Sequence, residues 1–153
     1  MRSLPLHVQT MSEVDCLRFI EEHRLARLSC ALDGHPYAVP IHYAFRNHFF
    51  YSFSMMGRKI ETMRQNPRVS LLIDEFGKDR GWTSVVAEGI YEELPDRIGS
   101  KIERDHAWSL LSQHASWWEP GALKPEKGVP AGDTDHIFYR ISIDKISGRR
   151  ASA

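Results

Sequence analysis

The sequence predicts an α+β domain in which a mainly antiparallel sheet, closed or half-closed into a barrel, is flanked by helices. Five or six segments alternate, or are rich in β-branched and aromatic residues, and most are joined by short turns. Only three segments carry helical spacing, too few for a strand-helix-strand stack. The chain has 153 residues, so a single domain over 1–153 is expected.

Taken in order, Ser12 with Asp15 forms a capping-box variant, and Val14, Leu17 and Ile20 recur at helical spacing, giving a helix over 12–23. From Ala26 the period becomes two, with Ala26, Leu28, Cys30 and Leu32 on one face, until Asp33-Gly34 supplies a turn. Residues 37–45 (YAVPIHYAF) and 48–54 (HFFYSFS) read as strands around a turn at Arg46-Asn47. Pro40 donates nothing to a ladder, so its strand is bulged or at an edge.

A short helix over 57–65 follows, with Ile60, Met63 and Arg64 on one face and Asn66-Pro67 ending it. Val69–Asp74 and Thr83–Leu94 are strands joined by a polar loop, with Gly89 marking a bulge. Pro95 and Asp96 open a third helix running to about Gln113, with Ile98, Ile102, Trp108 and Leu111 facing a core. Residues 114–135 hold three prolines and three glycines without periodicity and read as a long loop, a kind that often carries function. Ile137, Tyr139, Ile141 and Ile143 make a last strand before a basic tail, GRRASA.

Twenty Lys+Arg balance twenty Asp+Glu at a pI near 7.1, so no global field draws the chain to nucleic acid or an anionic membrane. Uncharged stretches are too short for a membrane span, the N-terminus has no apolar signal core, and a cytoplasmic location is expected. Cys16 and Cys30 match neither a redox CxxC pair nor a zinc knuckle, and buried free thiols are expected. The histidines, His42, His48, His106 and His114 among them, show no ligand spacing, so no metal is expected. No GxSxG elbow accompanies Ser29, Ser52, Ser54 or Ser84, and no hydrolytic triad can be argued.

The segment Tyr51–Lys59 carries the chemistry, because it runs from a strand into the positive end of a helix. Arg58 and Lys59 stand where the dipole disfavours cations by up to about 1 kcal/mol, a cost that a bound anion removes. Gly57 lets a phosphate approach the backbone. The bland alternative is a solvated basic face continuing through Arg64 and Arg68. Neither a Walker loop nor a GxGxxG fingerprint is present.

PYAVPIHYAF, FFYSFSMMGRKIETMRQNPRVSLLID, WTSVVAEGIYEEL and IFYRISIDKISGRR together resemble the pyridoxamine 5'-phosphate oxidase-like FMN-binding split barrels, nearest the nitroimidazole-resistance-type branch. The resemblance covers most of 12–150, and its most specific parts are G-R-K-x-x-x-x-x-x-N-P and W-x-S-V-x-x-x-G. It implies a mainly antiparallel split β-barrel flanked by helices, a homodimer holding FMN between subunits, and NADPH or NADH as electron donor. It further implies that Arg58 and Lys59 bind the FMN phosphate, and that Tyr51 and Ser52 line the phosphate and ribityl chain. Val39, Pro40 and Ile41 would border the isoalloxazine edge, and Ser84 would present a polar group to the cofactor. No role is carried onto His42.

The pyridoxamine-phosphate oxidases' substrate-phosphate residues have no counterpart near the C-terminus, where Arg140, Arg149 and Arg150 stand in a different context. The resulting expectation is an FMN-dependent, nitroreductase-like oxidoreductase passing electrons to a small acceptor. The alternatives are a non-catalytic flavin- or haem-binding protein and a haem- or deazaflavin-dependent enzyme of the same fold. Trp117 and Trp118, inside the long loop, are the candidate substrate-binding wall, with packing of that loop as the plainer reading.

Overall fold

Turn chemistry determines how the chain folds back on itself. In the computed structural model, which describes residues 5–95, 100–113 and 137–153, Asp33 and Gly34 take φ of 52° and 77°. Two successive left-handed residues are what a tight two-residue hairpin needs. They join β2 (Leu25–Leu32) to β3 (His35–His42). Asn47 and His48, at 53° and 66°, do the same between β4 (Ala44–Arg46) and β5 (Phe49–Ser54), one residue later than the sequence suggests.

The other strands are β1 (His7–Thr10), β6 (Arg68–Phe76), β7 (Trp82–Leu94) and β8 (Ile137–Ser152). The helices are α1 (Glu13–Glu22), α2 (Arg58–Gln65) and α3 (Lys101–Gln113). All pairings are antiparallel, in the order β3-β2-β6-β7-β8-β5-β4, with β1 on the far end of β8. The sheet does not close: β3 and β4 end the path, the open form of a split barrel. Pro40 thus sits on an end strand, which needs no second ladder.

Side-chain alternation builds two cores. Leu28, Ile41, Leu71, Ile73, Val85 and Tyr139 fill the barrel, covered by Phe19 and Ile20 of α1 and Ile60 and Met63 of α2. On the other side of β5 and β8, Tyr51, Phe53 and Phe138 pack with Leu94 against Ala107, Trp108 and Leu111 of α3. Each fully buried aliphatic or aromatic chain contributes about 1.5–3 kcal/mol before entropy is counted. Ser12 caps α1, accepting from the Asp15 N–H at 3.1 Å.

Several expectations are corrected. The predicted strand 37–45 is broken at Tyr43, whose N–H donates to the Arg24 carbonyl (2.8 Å) and whose hydroxyl donates to that of Ile20 (2.7 Å). Burial pushes that phenol's pKa upward. The basic tail is not an appendage: Gly148 to Ala151 continue β8 against β7, and Arg149 and Arg150 also face β1. Strand β1 itself went unpredicted. Ile102 is 83% exposed and faces no core, whereas Trp108 and Leu111 are buried. The start of the third helix near Asp96, Ile98, and the loop 114–135 with Trp117 and Trp118 lie outside the described residues.

The β7–β8 register does shift at Gly89, between Glu88 and Gly89, but the extra residue of the bulge is Asp144 on β8 and not a residue of β7. Both cysteines are free and buried. Among the described residues, no helix is long and apolar enough to cross a membrane, and no three His, Cys, Asp or Glu side chains group to hold a metal.

Candidate functional site

Strand β5 delivers the chain to the first turn of α2 through Met55, Met56 and Gly57. Gly57 is the N-cap, and no side chain caps the helix. The first N–H groups of an α-helix have no intrahelical acceptor, so those of the opening turn remain available to a ligand. Glycine is not demanded here by the backbone, because φ of −177° and ψ of −170° are ordinary extended values. Nor is it demanded by crowding: a Cβ would meet nothing within 4 Å. A serine or aspartate would cap better by several tenths of a kcal/mol. The sequence thus leaves open space and uncapped donors where a side chain would ordinarily fill both.

Arg58 and Lys59 flank that space in different ways. Arg58 is exposed, with its guanidinium carbon 4.4 Å from the centre of the Tyr37 ring on β3, a cation–π contact that restricts a long side chain. Lys59 is buried, at 8% exposure, at the positive end of the helix. Both cations reach Cys30 on β2: burial raises its thiol pKa, while Lys59 and then Arg58 pull it down. Arg58 therefore lies against β3 while Lys59 is buried in the same first turn of α2, and two cations beside uncapped N–H groups suit a phosphate.

A charge clamp holds α2 in place. The Arg64 guanidinium donates to Glu93 of β7 through Nε (2.9 Å to Oε2) and Nη2 (2.6 Å to Oε1), and the Tyr91 hydroxyl donates to the same carboxylate at 3.1 Å. The Arg64 hydrogen bonds hold the Glu93 carboxyl below its usual pKa, and burial with the nearby Glu93 charge raises that of Tyr91. Arg64 is therefore a structural cation and not one more member of a solvated basic face.

The other predicted residues lie on both sides of the sheet. The Ser52 hydroxyl donates to the His42 carbonyl at 2.7 Å, joining β5 to the end of β3 inside the structure. Tyr51, its neighbour, points the other way into the α3 cluster, edge-on to His106 at 6.0 Å. Ile41 is fully buried and Val39 packs on the barrel core, while Pro40 is exposed. Ser84 is half-buried on β7 opposite Asp74 and Arg149, next to core-facing Val85.

The structure thus brings Arg58 against β3 through Tyr37 and turns Tyr51 into the α3 cluster. Tyr37 escaped sequence reasoning, although its place in an aromatic strand just before Pro40 was a usable signal. Arg140 is occupied elsewhere, donating to Glu92 (2.9 Å) and lying 4.3 Å from the Phe49 ring centre. Arg150 donates to Asp15 at 2.7 Å.

The fold is an open antiparallel barrel with a basic, uncapped helix start. The chain belongs to the pyridoxamine 5'-phosphate oxidase family, whose model matches residues 12–150. A protein of Rhizobium meliloti (strain 1021) is 47% identical over 148 residues, covering 97% of this chain and 98% of its own. The solved structure of a FAD-binding protein from Mesorhizobium loti is 49% identical, covers 97% of this chain and 100% of its own, and superposes with a TM-score of 0.80. The fold also matches a candidate 5-nitroimidazole antibiotic resistance protein from Bacteroides thetaiotaomicron, at 18% identity, with TM-score 0.69 over 100% of this chain and 98% of that one.

Proposed function

We propose that this protein is a flavin-dependent oxidoreductase that anchors its flavin nucleotide by the phosphate at the start of α2. The observation that carries this reading is the uncapped, unobstructed turn at Gly57 flanked by Arg58 and Lys59. FMN is the smallest flavin that satisfies the site, and the Mesorhizobium loti relative, described as FAD-binding, supports flavin chemistry in general. A bound flavin would supply hydride and electron transfer between NADPH or NADH and a small acceptor. The protein's part is to fix the phosphate with Arg58, Lys59 and the first-turn N–H groups, and to shape the cleft along β3. No side chain need act as nucleophile or base.

The functional unit in this reading is a homodimer in the cytoplasm, where the buried thiols of Cys16 and Cys30 stay reduced. Small outward residues, Ser29 and Ala31 on β2 and Ser70 on β6, form a sheet face that the helices packed on the barrel core leave uncovered. In this reading that face meets a second copy of the chain.

The purified protein is expected to show flavin absorption in the blue, as isolated or after FMN is added, and to bleach with NADPH or NADH under anaerobic conditions before reoxidising with an acceptor. Light scattering should return about twice 17.6 kDa. A colourless protein that takes up no flavin, or a flavoprotein that no nicotinamide reduces, would overturn the binding or the catalytic half of the reading respectively.

A further inference from the structure

A phosphate anchor is as precise as the helix that presents it, and α2 is fastened to the sheet just beyond its far end. There the Asn66 amide donates to the Ala31 carbonyl of β2 at 2.8 Å, and the Tyr91 N–H of β7 donates to the Pro67 carbonyl at 2.8 Å. The eight residues of α2 separate these fastenings from Gly57. Arg64 spans the distance. Its guanidinium uses Nε and Nη2 on the two Glu93 oxygens (2.9 and 2.6 Å) and turns the remaining Nη1 to the Met56 Sδ at 3.9 Å. Met56 immediately precedes the Gly57 cap, so one planar group joins β7 to the chain that enters the anchor.

We propose that Arg64 and Glu93 are a positioning pair for the anchor, which fixes the approach of Met56 and Gly57 and so aims the first-turn N–H groups, Arg58 and Lys59 at the phosphate. The proposal rests on the flavin reading above and adds to it two residues outside the site that set its affinity. Stability alone does not account for the pair: the two side chains are 42% and 28% exposed, and ion pairs in contact with water add little. What a two-pronged contact supplies is direction, because parallel N–H···O bonds fix the plane of the guanidinium. The Tyr91 hydroxyl, donating to Glu93 Oε2 at 3.1 Å, fixes the carboxylate in turn. Nor does the pair draw in an anion by charge, since the Glu93 carboxylate offsets the Arg64 cation.

The test reads the ratio of FMN to riboflavin affinity by fluorescence titration of the flavin-free full-length protein. Positioning and charge have opposite signs in Glu93→Gln: loss of a carboxylate near an anion site tightens FMN by charge alone, whereas a loosened Arg64 weakens it. Glu93→Gln should weaken FMN by roughly three- to tenfold, the effect of a contact loosened and not lost, and riboflavin by less than about twofold. Arg64→Lys keeps the charge but cannot hold both Glu93 oxygens and Met56 together, and should do the same. Because either substitution breaks one unit, the double variant should lose no more than the weaker-binding single one. Tyr43→Phe, which removes a buried hydrogen bond to the Ile20 carbonyl of α1, is the control for lost stability: melting should fall and the ratio stay unchanged.

A ratio unchanged or raised in Glu93→Gln, or unchanged in Arg64→Lys, overturns the positioning role and leaves the anchor standing. Additive losses in the double variant overturn it as well, as does a ratio lowered equally in Tyr43→Phe. Glu93→Gln, which keeps the shape of the native side chain, decides alone if Arg64→Lys folds poorly. If wild type itself does not favour FMN over riboflavin, the anchor reading fails, and the positioning pair with it.

Discussion

Replacing Gly89 with alanine should prevent folding or cost at least 3 kcal/mol, on the scale of a severely overpacked core (about 1–3 kcal/mol, occasionally more). Gly89 lies at the β7–β8 bulge, where β8 carries one extra residue, Asp144. A Cβ there would overlap the Ser142 carbonyl oxygen and lie 2.9 Å from the Ile141 Cγ2. The first clash is with backbone, which cannot rotate aside, and it falls inside the longest strand pairing of the sheet. Relief would require opening the ladder that also carries Tyr91 and Tyr139 into the core. Urea unfolding of the soluble variant, or its recovery only in the insoluble fraction, checks the expectation. A midpoint within a few tenths of molar of wild type would mean that the strands part more easily than this packing implies.

The second large effect is on binding. Hydrogen bonds to charged groups contribute about 1.5–3 kcal/mol each, so Arg58→Ala or Lys59→Ala should weaken FMN by roughly 10- to 150-fold. The double variant should fall by more than either single one. The two cations contribute by different means: Arg58 supplies a fork steadied by Tyr37, while Lys59 supplies a buried charge in a setting of lower dielectric. Riboflavin, which lacks the phosphate, should be nearly indifferent to the double substitution. If calorimetry gives FMN the same affinity for the double variant and wild type, the anchor lies elsewhere.

Much of the framework was legible because local chemistry and global fold agree. The Ser12 cap, the Asp33-Gly34 turn, the Asn66 helix stop and the Gly89 bulge each have a single physical solution, and the chain adopts it. What escaped were elements decided by tertiary contacts. All four residues of β1 are exposed, so no period marks them, and the strand exists because the end of β8 offers an edge. Arg149 and Arg150 suggest a solvated tail, yet both stay exposed within β8, on opposite faces of a strand end paired with β1 and β7, and Arg150 donates to Asp15 of α1. Tyr43 breaks an otherwise continuous aromatic strand through two hydrogen bonds to residues about twenty positions earlier. Ile102 shows the converse: helical spacing identifies a face, but not whether anything covers it.

At the candidate site, Gly57-Arg58-Lys59 stands out in the sequence because cations in a first helical turn contradict the dipole. Orientation was not legible. Tyr51 and Ser52 are adjacent and so point to opposite faces, and only the finished sheet shows that Ser52 turns towards His42 while Tyr51 joins the α3 cluster. Tyr37, which holds Arg58, is 21 positions away in sequence and meets it only through the packing of α2 beside β3.

The central claim, that the open turn at Gly57 exists to receive a flavin phosphate, is tested most directly by Gly57→Asp with thermal melting and FMN titration on the same sample. The backbone accepts any residue there and a Cβ meets nothing, so the aspartate should cap α2 and leave the melting temperature equal to or above that of wild type. Its carboxylate would occupy the same N–H groups and repel the phosphate, so FMN affinity should fall at least tenfold, or about 1.4 kcal/mol. A variant that melts as high as wild type and binds FMN as tightly would contradict the account.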